Sequence, residues 1–158
     1  MKEYKFFDTD ATGKEDYDIF GNDYQNLINI CCKYCTTISF RIKNLEIACL
    51  AELSKFNIPK QKNILYVYNH YYDNNESQTD VKYYRICPDL NQILLKTTDS
   101  LFNWIYGWGF ENPEDPVFYR KDGSVFFSSL IHEGECSLFP QKGEDISSII
   151  STGLWSLQ

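Results

Sequence analysis

The chain is 158 residues long and 43% hydrophobic, with 22 Asp and Glu against 15 Lys and Arg for a formal net charge of −7. That length and apolar content suffice for one self-sufficient core, which excludes a disordered segment or a scaffold dependent on disulfide or metal staples. The basic residues are scattered singly, with Arg120-Lys121 as the adjacent pair, so no stripe exists to follow a phosphate backbone and direct nucleic-acid binding is disfavoured.

Residues 2–7 (KEYKFF) read as a first strand, and 8–23, with six carboxylates against one lysine, as a loop. Asn22 or Asp23 offers an N-cap with Gln25 placed to reach back to it. Tyr24, Leu27, Ile28, Cys31 and Cys35 then recur at helical spacing and define one apolar face. TTISFRI alternates, with Ile38, Phe40 and Ile42 on one side, and predicts a half-buried strand. A second helix is expected over 44–56, before the Asn57-Ile58-Pro59 break. NILYVYNHYY (63–72) and DVKYYRI (80–86) suggest an antiparallel pair.

Pro88 and Asp89 open a third helical region in which Leu90, Ile93, Leu94, Leu101, Trp104 and Ile105 repeat at helical spacing, and 107–116 reads as a loop. VFYRKDGSVFFSSL contains Asp122-Gly123, a strong hairpin signal. A turn at HEGE leads into CSLFP and completes a three-strand meander, EDISSII predicts a short helix, and GLWSL a closing strand or tail. Adjacent hairpins dominate, so the expected fold is a single α+β domain over residues 1–158, mainly antiparallel sheet with three to four helices packed against it.

Three stretches invite a chemical reading. CCKYC (31–35) places three thiols within five residues. A zinc site ordinarily needs four ligands in two such pairs, and a redox CxxC opens a helix where this one closes it. Cys31 and Cys35 instead complete the apolar helix face, where free Cys packs as a small hydrophobe. In DTDATGKED, Asp8, Asp10, Thr12, Lys14 and Asp16 fit a calcium-loop register, but Ile19 stands where the closing glutamate belongs. HEGEC supplies His132, Glu133 and Cys136, which a small hydrolase or nuclease could use as base and nucleophile. No phosphate-cradling glycine loop and no serine-hydrolase or zinc-protease motif accompanies them.

The N-terminal MKEYKFFDTD lacks the apolar core and cleavage site of a signal peptide, and no apolar run reaches the roughly 18 residues of a membrane span. The six cysteines therefore read as reduced thiols, and the expected location is cytoplasmic.

YQNLINICCKYCTTISFRI, a helix running into an alternating strand, and DPVFYRKDGSVFFSSLIHEGECSLFP, followed by a short helix and closing strand, together resemble small bacterial proteins grouped with the immunity proteins of polymorphic-toxin and contact-dependent growth-inhibition systems. The resemblance covers most of the chain as a pattern. It implies a cytoplasmic α+β protein, without catalytic residues or cofactor, that binds and neutralises one cognate toxin domain, commonly a nuclease. It assigns no individual residue. An inhibitor of a basic toxin gains from exposed carboxylates that steer encounter. The densest expected clusters are Asp8, Asp10, Glu15, Asp16 and Asp18, and Glu111, Glu114 and Asp115. Beside the second lie Trp104, Tyr106, Trp108 and Phe110, aromatic anchors of the kind that dominate interface energetics.

Overall fold

The computed structural model describes residues 1–6, 18–64 and 81–158. Strands β1 (Tyr4–Phe6), β2 (Thr37–Arg41), β3 (Asn57–Ile58), β4 (Val81–Arg85), β7 (Glu114–Tyr119), β8 (Val125–Leu130), β9 (Glu135–Leu138) and β10 (Trp155–Leu157) form one sheet in the order β10-β1-β9-β8-β7-β2-β4-β3. The pairings are antiparallel throughout. A separate small hairpin joins β5 (Tyr106–Gly107) to β6 (Phe110–Glu111). Helices α1 (Asn22–Tyr34), α2 (Ala48–Leu53), α3 (Pro88–Thr97) and α4 (Ser147–Ile150) complete the α+β domain.

The apolar face read from the sequence is the one α1 buries: Tyr24, Leu27, Ile28 and Cys31 are all shielded, and Cys35 joins the same core just beyond the helix. The capping differs from expectation. Gly21 at φ 59° is the N-cap and no side chain caps the helix, because this glycine turns the chain in one residue ahead of Asn22. Its N–H donates to the Asp99 carbonyl at 2.8 Å.

Strand β2 is buried on both faces rather than one, with Thr37, Ile38, Ser39 and Phe40 all shielded. It lies between β4 and β7 in the sheet interior. Ile38 and Phe40 face the main core, while a second cluster of Ile64, Tyr83, Val117 and Tyr119 forms elsewhere, and the Ser39 hydroxyl lies 3.1 Å from that of Tyr119.

The second helix is shorter than 44–56. Asn44 Oδ1 accepts the Glu46 N–H at 2.9 Å, a local turn that competes with helix. Only Ala48–Leu53 is α-helical, and a 3-10 turn follows over Ser54–Phe56. The third helical region also divides. Helix α3 stops at Thr97, and a 3-10 turn at Leu101–Asn103 carries Leu101 into the core, followed by Trp104 and Ile105. The expected loop at 107–116 instead holds most of the β5–β6 hairpin and the start of β7. Most of the expected strand at 63–72 lies outside the described residues.

The β7–β8 hairpin at Asp122-Gly123 and the turn into β9 match expectation. Two bulges reshape this meander. A register shift opposite Phe118 and Tyr119 adds Phe126 to β8, so consecutive Phe126 and Phe127 are both buried in the main core. A second, opposite Ser39 and Arg41, adds a residue to the start of β7, where Asp115 takes φ 53°.

Candidate functional site

The β7 bulge gathers the most polar part of the interior. Glu114 is 1% exposed and Asp115 0%, which corrects the expectation that both sit on an exposed acidic surface. Burial of carboxylates requires partners, and they have them. Glu114 Oε1 accepts the Tyr106 N–H at 2.9 Å, while Lys43 Nζ and Arg41 Nη1 lie 3.3 and 3.9 Å from Oε2. Asp115 Oδ1 accepts the Ile131 N–H at 2.8 Å, and the neighbouring Pro116 carbonyl accepts the Ser129 hydroxyl at 2.8 Å. The first two residues of β7 thus clamp the β5–β6 hairpin, the end of β2 and the turn after β8.

His132 stands in that turn, partly exposed, and Glu114, Asp115 and His132 each bring one ligating atom to within 4.8 Å of the others. Two carboxylates and an imidazole suit proton transfer or cation binding. His132 Nε2 also lies 3.4 Å from Glu133 Oε1, the expected pair, with the glutamate half exposed. Cys136 belongs to the main core on the side of Cys31, whose thiol it helps push up.

Above this base the β5–β6 hairpin projects. Trp108 and Gly109, at φ 52° and 89°, make its two-residue turn. Such a turn needs positive φ at both positions, where Asn-Gly is the favoured pair and a bulky side chain is an outlier. Trp108 is 78% exposed, Phe110 and Glu111 flank it on the surface, and Tyr106 is partly buried at the foot, its hydroxyl accepting from Asn44 Nδ2 at 2.9 Å. Leu45, next to Asn44, is 74% exposed. Trp104, by contrast, is fully buried, its Nε1–H donating to the Tyr24 hydroxyl at 3.0 Å.

Of the first acidic cluster, Asp18 is described and is a partial correction. It is half-buried, and its Oδ2 accepts the Ser100 hydroxyl at 2.6 Å. Asp8, Asp10, Glu15 and Asp16 lie outside the described residues. Ile19 is in the core, consistent with its failing to serve as a calcium-loop ligand.

The CCKYC thiols are packing groups. Burial pushes Cys32 up to about 12, with Cys87 adding to it, and also raises Cys31 and Cys35. A thiol so far above neutrality is a poor nucleophile and a poor metal ligand.

Sequence reasoning did not find the convergence of Glu114 and Asp115 with His132. The available signal was the Asp122-Gly123 turn, since folding the chain back there carries residues near 115 toward those near 131. No family model, curated protein or solved structure matches this chain. Among the described residues, no helix is long and apolar enough to cross a membrane.

Proposed function

We propose that this chain is a binding protein without enzymatic activity, an immunity protein that neutralises a cognate bacterial toxin domain by stoichiometric association in the cytoplasm. The observation that carries the reading is Trp108, a large aromatic side chain held in solvent on a left-handed backbone. Such strain persists only where the surroundings enforce it, and it concentrates at functional positions. The buried Glu114 clamp supplies the enforcement by tying down the hairpin foot. Trp108, Phe110 and Leu45 offer an apolar centre, with Glu111 and Tyr106 beside it, and aromatic anchors with a polar rim are the composition of an interface hot spot. The net charge of −7 favours a basic partner and raises its rate of encounter.

The test is co-expression with the protein encoded immediately upstream of this chain, followed by affinity capture and calorimetry at low and high salt. Retention that weakens with salt, and that Trp108→Ala abolishes, supports the reading. Absence of retention in both buffers, together with a hydrolytic activity lost in His132→Ala, would replace it with the small-hydrolase alternative.

A further inference from the structure

We propose that Glu114, Asp115 and His132 form a binding site for a divalent cation of the zinc class, with Lys43 as a resident counter-ion that the cation displaces. Three observations converge on it. The three side chains already bring ligating atoms within 4.8 Å of one another, the one such group among the described residues. Glu114 Oε2 is buried and accepts no hydrogen bond, an unusual state for a buried carboxylate oxygen. What faces it is charge alone: Lys43 Nζ at 3.3 Å and Arg41 Nη1 at 3.9 Å.

The two cations differ in their freedom to leave. The Lys43 side chain is 37% exposed and that of Arg41 14%, so the lysine can swing into water while the arginine stays. Exchanging Lys43 for a divalent ion then sets the two carboxylates against the ion's two charges, with Arg41 remaining beside Glu114 Oε2. The other carboxylate oxygens are oriented by backbone, Glu114 Oε1 by the Tyr106 N–H and Asp115 Oδ1 by the Ile131 N–H, as supporting hydrogen bonds orient ligands in established metal sites. One imidazole with two carboxylates is a zinc-type set with room for a water, whereas calcium takes 6–8 oxygens and magnesium a near-octahedral shell. His132 and Lys43, both partly open to solvent, lie on the outer side of the site. Because Glu114 also holds the Tyr106 N–H, the site is mechanically joined to the hairpin that carries Trp108.

The experiment is calorimetric titration of the chelator-treated full chain with zinc chloride, with magnesium and calcium chlorides in parallel. It requires no protein partner, so it stands apart from the binding function proposed above. The expected result is one zinc per chain and no response to magnesium or calcium. Asp115→Asn keeps an acceptor for the Ile131 N–H and tolerates the positive φ, and His132→Ala removes the imidazole from a partly exposed position. Each is expected to weaken zinc by at least about tenfold, while Lys43→Ala tightens it by removing the competing charge. Zinc binding that neither Asp115→Asn nor His132→Ala weakens, as from thiols or an adventitious ion only, overturns the site. Weakening in both with no gain in Lys43→Ala overturns the counter-ion role and retains the cation site.

Discussion

The Arg120 guanidinium grips the Glu144 carboxylate with two parallel hydrogen bonds, Nε to Oε1 at 2.6 Å and Nη2 to Oε2 at 2.7 Å. Its remaining donors go to the Val125 and Phe139 carbonyls and the Ser124 hydroxyl, and the Glu144 carboxylate also accepts the Gln141 N–H. One buried fork therefore ties the β7–β8 turn to the segment leading into α4. Bidentate geometry and near-complete burial distinguish it from the surface pairs Lys5–Glu135 and Lys96–Glu52, which contribute little.

Removing one partner strands the other charge in the interior. Glu144→Ala is expected to cost about 3–5 kcal/mol, measured by urea denaturation. The pair also has a pH signature. Burial opposes ionisation of Glu144, but the hydrogen bonds from Arg120 and the Gln141 N–H prevail and hold its carboxyl below the ordinary range. A folded value below the unfolded one gives stability that is full above the ordinary glutamate range and lost as pH falls through the folded value. The urea midpoint of Glu144→Gln should fall less steeply on acidification than that of the parent.

Tyr24 accepts the Trp104 indole N–H and donates to the Leu94 carbonyl at 2.7 Å, joining α1, α3 and the turn before β5. In Tyr24→Phe the buried indole N–H and the carbonyl both lose their partner. The expected destabilisation is about 1–3 kcal/mol, read from the thermal or urea midpoint. An unchanged midpoint would mean that the network does not contribute to stability.

The buried cysteines should resist modification. Alkylation of the native chain at mildly alkaline pH, read by peptide mass spectrometry, should spare Cys31, Cys35 and Cys136, which become reactive only in denaturant. Cys32 and Cys87, partly exposed, should react slowly. Fast labelling of Cys31 or Cys35 would contradict the packing role of CCKYC.

Trp108 should trade stability for binding. Asparagine is favoured at this turn position, so Trp108→Asn is expected to raise stability by about 1 kcal/mol through relief of the left-handed strain. Under the proposed binding function, the same variant should also lose capture of the partner. Lower stability in Trp108→Asn would show that the indole packs usefully in the free protein.

Gly123 is required twice over. Its φ is +84°, and an added Cβ would stand 2.7 Å from the Asn63 side chain and backbone. Gly123→Ala should destabilise by more than the roughly 1 kcal/mol of an ordinary left-handed alanine, because Asn63 must also move. A cost no larger than that would mean the segment at Asn63 yields freely.

Periodicity in the sequence was sufficient wherever one neighbour decides the structure. The 3.6-residue recurrence of Tyr24, Leu27, Ile28 and Cys31 determined a helix and its buried face, and Asp122-Gly123 determined a hairpin, because both are local choices of backbone and solvent side. The same spacing across Leu94, Leu101 and Trp104 concealed a helix end, since a 3-10 turn can return residues to the same core. What lies beyond local reach came from tertiary structure. Two-sided burial of β2 follows from Tyr83 of β4 and Val117 and Tyr119 of β7, which flank Thr37 and Ser39 on its second face and which its own alternation does not encode. Glu114 and Asp115 look like surface charges beside Glu111, yet they are interior, because a bulge turns the start of β7 onto Tyr106, Lys43 and Ile131. A buried carboxylate is tolerated only where donors from distant parts of the chain converge on it, and that convergence is a property of the fold.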